Sequence, residues 1–263
     1  MLIDFHTHCF PDRIANRAIE KLSFAAGGLF PHTDGTISSL RDSMAKEGVD
    51  TSVVLSIATN AHQQKSVNDF AASINNQQDI FAFGSVYPYA EDALEELGRI
   101  KALGLKGVKL HPDYQSFFVD DERMKPIYQE IGRLGLITVF HAGWDYGFEP
   151  PYHCTPDRLE RALNWFDSPV VAAHWGGVNC TQEVIERLCG RDVYFDVSFG
   201  YCMMPRVFAK TIVERHGAER LLFGTDSPWH TAEMELRLLN TLELSKTEMD
   251  AITHENAKKL LSL

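Results

Sequence analysis

Eight short apolar runs punctuate the chain, and they limit its architecture more than any other feature. They are Leu2–Phe5, Thr51–Leu55, Ile80–Gly84, Leu105–Leu110, Leu136–Phe140, Val170–Ala173, Val193–Val197 and Arg220–Phe223. Each is rich in Val, Ile, Leu or Phe, as a strand covered on both faces must be. Amphipathic stretches separate them. "EDALEELGRIKALG" (91–104) sets Leu94, Leu97, Ile100 and Leu103 on one helical stripe and stops at Gly104. "DERMKPIYQEIGRLG" (121–135) ends at Gly135 in the same way, with Pro126 displacing its start. "TPDRLERALNWF" opens with a Thr cap and a Pro at the first helical position. "TAEMELRLLNTL" and "TEMDAITHENAKKLLSL" predict two closing helices. Strand and helix alternating over 263 residues predict an α/β chain, a (β/α)8 barrel forming one domain over 1–263. A doubly wound open sheet is the rival, but no glycine-rich phosphate loop follows the first run. Residues 23–36 and 142–156 are the long connections, expected over one end of the barrel.

Composition removes several function classes. The formal charge is −11, the pI about 5.4, and Lys and Arg form no cluster, so nucleic acid is not an expected partner. No stretch of about 18 apolar residues exists, so no membrane span is expected. The start lacks a basic segment followed by an apolar one. The five cysteines are odd in number and none forms a C-x-x-C pair, which argues against a disulfide framework. These features lead to the expectation of a cytoplasmic protein.

The histidines sort by their place relative to the runs. His6 and His8 follow the first, His111 the fourth, His141 the fifth and His174 the sixth, and Asp226 follows the eighth. Side chains on a strand alternate, so His6 and His8 share a face. In a parallel barrel every strand C-terminus opens onto one rim. His6, His8, His141, His174 and Asp226 are thereby predicted to meet there as four imidazoles and a carboxylate. That donor set suits a borderline divalent ion such as Zn²⁺, with Mn²⁺, Fe²⁺ or Co²⁺ accepted by the same ligands.

"DFHTH", "GVKLHP", "FHAG", "AHWGG" and "FGTDSPW", one after each of five runs and in this order, resemble the amidohydrolase superfamily. The resemblance is to its amidohydrolase-2 branch, which also contains aminocarboxymuconate-semialdehyde decarboxylase, and the tail "HENAKKLL" is similar to that branch's closing helix. The resemblance implies that His6, His8, His141 and Asp226 are metal ligands. It implies one ion, with His174 orienting or deprotonating the attacking water. In binuclear members His174 would ligate a second ion, bridged from strand four by a carboxylated Lys or a Glu, and this chain offers Lys109 there. In the one-ion reading Lys109 and His111 contact substrate. The branch also implies a homodimer.

The chemistry that follows is hydrolysis of a small amide, ester or lactone by a metal-activated water, with Asp226 accepting a proton and His174 assisting. Lys109 would hold a carboxylate of an anionic small-molecule substrate. Arg206, after "CMMP", is a second candidate anion clamp. The runner-up on the same residues is non-oxidative decarboxylation of an unsaturated or aromatic acid, and a third reading is a catalytically silent binding barrel. Structural roles compete at each position: His111 could cap the turn before Pro112, Lys109 could be a buried paired lysine, and Cys9 reads as small apolar filler. "HENAK" lacks the second His of a zincin helix, since Lys258 stands there.

Overall fold

In the computed structural model, which describes residues 1–263, all eight apolar runs are strands. They are β1 (Ile3–Thr7), β2 (Thr51–Leu55), β3 (Ile80–Phe83), β4 (Gly107–Leu110), β5 (Ile137–Phe140), β6 (Val170–Ala172), β7 (Tyr194–Asp196) and β8 (Leu221–Leu222). β1–β3 and β4–β8 form two parallel sheets in sequence order. Two seams join them. Gly84 bridges Val108 between β3 and β4, and Thr7 bridges Ser227 beyond β8. Across the second seam, Phe5 N–H donates to Phe223 O at 2.8 Å and His8 N–H to Ser227 O at 2.7 Å. The sheet therefore closes on itself, leaving no free edge.

Closure demands a small residue at the first seam. A Cβ on Gly107 would run into the Phe83 ring and the Ile137 carbonyl. Inside the barrel, Ile3, Phe5, Val53, Leu55, Phe81, Phe83, Ile137, Val139, Val171 and Leu222 form one apolar cluster. Ala257 and Leu261 of the last helix join it. A second, larger cluster lies between the sheet and the surrounding helices.

The helices are α1 (Asp12–Ala25), α2 (Ile37–Glu47), α3 (Gln64–Ile74), α4 (Ala93–Ala102), α5 (Pro112–Gln115), α6 (Lys125–Arg133), α7 (Pro156–Ala162), α8 (Thr181–Arg187), α9 (Arg206–His216), α10 (Ala232–Asn240), α11 (Lys246–Asp250) and α12 (Asn256–Leu261). Local chemistry sets their ends. Thr36 and Thr231 cap α2 and α10 by accepting the N–H of Ser39 and Met234, and Ser245 with Glu248 makes a capping box on α11. Three details differ from the sequence reading. Leu94 of α4 is exposed, because the buried face runs through Ala93, Glu96, Leu97 and Ile100. Glu96 is accommodated there by Asn68 and Arg99. Thr155 makes no side-chain cap on α7, since its hydroxyl donates to Asp157. The closing helix is interrupted by a π-helical turn at Ala251–Glu255, where Ile252 O accepts the N–H of Phe223 at 2.8 Å. That widened turn lets the helix bond to the end of β8.

Candidate metal centre

The first and last strands are tied together where their polar ends emerge. The β1–β2 register slips between Asp4 and Thr7. Buried Asp4 accepts the N–H of His6 (3.1 Å), the N–H of Thr225 (3.0 Å) and the Thr225 hydroxyl (2.7 Å). Burial pushes its carboxyl up to about 8, against the lowering by Thr225 and the backbone. One step further on, Asp226 N–H donates to His6 O at 2.8 Å. Asp226 and His174 both hold left-handed backbone, φ +62° and +60°. Side chains rarely adopt it without support from their surroundings.

His6 Nε2, His8 Nε2 and Asp226 Oδ1 form a triangle with edges of 3.2, 3.3 and 3.1 Å. Ligands about 2.0–2.1 Å from a tetrahedral ion stand roughly 3.3 Å apart, so the triangle has the size of one face of such a polyhedron. The hydrogen bonds behind the rings assign the tautomers. His6 Nδ1–H donates to Asp196 Oδ2 at 2.9 Å, and His8 Nδ1–H to Leu55 O at 2.8 Å. Both Nε2 atoms are left as lone pairs facing a carboxylate oxygen, and that of His6 is also met by the Lys109 ammonium at 3.3 Å. The two rings cross at 68°, so their in-plane lone pairs can converge. Acceptors this close repel one another unless a cation sits among them.

The next two imidazoles repeat the arrangement. Ser198 gives its hydroxyl proton to Asp196 and accepts from His174 Nδ1–H at 2.9 Å. His141 Nε2–H donates to Trp144 O at 3.1 Å. His174 Nε2 and His141 Nδ1 then face each other as lone pairs, 3.2 Å apart. Burial drives the His6 and His174 rings well below their ordinary pKa, and that of His141 down to about 4, with neighbouring cationic groups adding to it. The imidazoles are thus held neutral, the form that binds a metal. For Asp226 burial acts upward, yet its carboxyl is held below the usual range, with the Lys109 ammonium contributing. These donors fit a divalent ion of zinc's kind. His6, His174 and Asp226 offer ligand atoms within 4.8 Å of one another. The His6 and His174 rings are stacked, 4.9 Å apart at 28°, which turns their lone pairs alongside rather than toward one point.

A second group, His111, His141 and Asp145, also lies within 4.8 Å, but its geometry is not that of a ligand set. The His111 and His141 rings are parallel, 4.2 Å apart at 7°, so no point lies in both ring planes. His111 Nε2–H is committed to Asp145 Oδ2 at 3.1 Å, while its Nδ1 accepts Tyr114 N–H and caps α5. Lys109 is buried, with Nζ 3.3 Å from His6 Nε2, and burial lowers its pKa to about 8. Arg206 corrects the sequence reading. Its guanidinium lies at the start of α9, bonded to Thr241 O and paired with Glu243 at 3.2 Å, so it does not join the cluster. The start of α9 offers no anion clamp to the rim, because Arg206 is half exposed on the outer layer.

Four residues of the site escaped sequence reasoning. Asp196 and Ser198, which orient His6 and His174, follow one another at alternate positions in and after β7, and a carboxylate inside a buried strand was the signal available. Asp145 sits among loop aromatics and carries no such signal. Glu235 is fully buried on α10, bonded to His230 Nδ1 and to the N–H of Gly200 and Tyr201, so it fixes the loop after β7 from behind.

Among solved structures, the chain is similar to an uncharacterised TIM-barrel protein from Bordetella bronchiseptica, at 20% identity and a TM-score of 0.79 over 99% of this chain and 98% of that one. It is similar to 2,6-dihydroxybenzoate decarboxylase from Rhizobium, at 16% identity and 0.74 over 99% and 98%. It is also similar to a probable 2-pyrone-4,6-dicarboxylic acid hydrolase from Acinetobacter baumannii, at 18% identity and 0.70 over 100% and 99%. No curated protein matches it. No helix is long and apolar enough to cross a membrane. The family model described as Amidohydrolase matches residues 3–263, and the chain belongs to that family of metal-dependent enzymes.

Proposed function

We propose that the protein is a metal-dependent hydrolase of a small amide, ester or lactone carrying a carboxylate. The observation that carries this reading is the set of converging acceptor atoms: His6 Nε2, His8 Nε2 and Asp226 Oδ1 at tetrahedral-edge spacing, with each Nδ1–H already spent on a fixed acceptor. His6, His8, Asp226 and His141 would hold one ion, for which Zn²⁺ is the first choice by donor type. The bound ion would supply Lewis acidity and a water acidic enough to attack near neutral pH. Asp226, held below the usual carboxylate range, is available to accept a proton and pass it to the leaving group. His174 presents an acceptor nitrogen because Ser198 occupies its Nδ1–H, so it orients a water by accepting from it. Lys109 is the ammonium beside His6 and is assigned the substrate carboxylate.

A second reading uses the same residues for non-oxidative decarboxylation of an unsaturated or aromatic acid. Its support is the likeness to the Rhizobium decarboxylase and the buried ammonium of Lys109, where a departing carboxylate would be held. The deciding experiment loads the purified protein with Zn²⁺ or Mn²⁺ and runs two panels. Acid release from amides, esters and lactones is expected. Release of CO₂ from a carboxylate panel without acid release would overturn the hydrolase in favour of the decarboxylase. No metal retained and no turnover in either panel would overturn both and support the silent barrel. The five free cysteines support a reducing, cytoplasmic location.

A further inference from the structure

The turn after β4 and the long loop after β5 are joined by two reciprocal imidazole–carboxylate pairs. His111 and Asp113 flank Pro112 in the turn, and Asp145 and His153 belong to the loop. His111 Nε2–H donates to Asp145 Oδ2 at 3.1 Å. In the opposite sense, His153 Nδ1–H donates to Asp113 Oδ1 at 2.7 Å, and His153 N–H reaches the same oxygen at 3.1 Å. Between the pairs, Gly147 N–H donates to Asp145 Oδ1 at 2.7 Å, and Phe148 packs edge-on against Tyr114 at 4.8 Å. Gly143 bridges both Cys154 and Val178, and a Cβ there would strike the Val178 backbone. The loop is therefore a fixed wall, and the position of the Asp145 carboxylate within it is determined at both oxygens.

That carboxylate remains within reach of the mouth, with 15% of its side chain exposed. The charges near the cluster are uneven. Lys109 is the cation, Asp226 and Asp196 lie with it on the His6 side, and Asp145 stands on the His141 side. Arg206 faces Glu243 instead. A ligand that places one carboxylate at the ion and Lys109 and extends past His141 would meet a fixed negative charge there.

We propose that Asp145 is the specificity-determining residue of this site: it selects small substrates with a single carboxylate and a far end that is neutral or donates N–H, and it rejects dicarboxylates. The proposal rests on the metal-centre reading above. It makes a statement about charge selection and none about which bond is cleaved.

The test uses Co²⁺-loaded protein, whose visible absorption reports anions arriving at the ion, titrated with acetate and with succinate. Wild-type protein is expected to bind acetate more tightly than succinate. Asp145→Asn should tighten succinate on the order of tenfold while acetate moves by less than about twofold. Asp145→Glu, which keeps the charge, should keep the wild-type preference. Equal shifts for both anions, or none in Asp145→Asn, would overturn the assignment of Asp145. Absence of a cobalt spectrum in wild-type protein would overturn the metal-centre reading and this proposal with it, and the two failures are told apart by the unliganded spectrum.

Discussion

Asp196 tests the tautomer argument most directly. Its Oδ1 accepts three donors: His174 N–H at 3.0 Å, Ser198 N–H at 3.2 Å and the Ser198 hydroxyl. Its Oδ2 accepts one, His6 Nδ1–H at 2.9 Å. In Asp196→Asn the amide oxygen is expected to keep the three donors, since the reverse orientation would press an NH₂ against two backbone N–H groups. The NH₂ then faces His6 Nδ1 and forces the proton to Nε2. A protonated Nε2 cannot be a ligand. Outer-shell partners of metal-binding histidines typically contribute 10–100-fold to affinity, about 1.4–2.7 kcal/mol. In the metal-free protein the new Nε2–H can donate to Asp226 Oδ1, 3.3 Å away, but it also confronts the Lys109 ammonium at 3.3 Å, so some stability is lost there too. Two measurements follow. A competition titration against a chromophoric chelator should show Kd raised about 10–100-fold. Thermal unfolding with a fixed excess of metal should show its stabilising shift, taken relative to the metal-free form of the same variant, reduced by about 3–10 °C. A Kd within about twofold of wild type would refute the tautomer assignment, since it would mean that His6 binds regardless of which nitrogen Asp196 holds.

Further expectations test separate parts of the structure. His6→Ala combined with His8→Ala should abolish metal retention by elemental analysis while circular dichroism still reports a folded barrel; an ion retained at wild-type stoichiometry would place it elsewhere. His174→Ala should keep one ion per chain and lose turnover. His216 stacks on Phe195 at 3.9 Å, accepts Gly190 N–H and has a buried Nε2 without a partner; burial pushes it down to about 4. Its folded pKa lies below its unfolded value, so the stability it allows is complete above about 6.5 and is lost as pH falls toward about 4. Urea unfolding of metal-free protein should lose about 2 kcal/mol between pH 7 and 5 from this residue. His216→Leu should be less stable at pH 7 but flatter over that interval, and an unchanged slope would refute the assignment. Gly143→Ala should destabilise the fold by several kcal/mol, because φ is +83° there and the new Cβ meets the Val178 backbone. Hydrogen exchange in residues 143–153 is the sensitive readout.

The fold was legible because the two periodicities that encode it are local. Eight apolar runs and the amphipathic stretches between them mark strands and helices without reference to anything distant, and a closed parallel sheet then brings strand ends to one rim. For the same reason His6, His8, His141, His174 and Asp226 could be named as neighbours from their places after five runs. Asp196 and Glu235 were not legible. Their roles depend on which nitrogen of His6 they hold or which loop they brace, and both contacts join segments far apart in the chain.

The sequence by itself determined the alternation, the closed barrel it implies, and the inventory of imidazoles and carboxylates at one end, since these follow from residue type and spacing. Only the tertiary structure decided the direction of each lone pair, because tautomers are chosen by the partner behind the ring. It alone turned Arg206 outward to Glu243, where an ion pair on the surface was available, and brought Asp145 to His111 through a loop whose path no periodicity encodes.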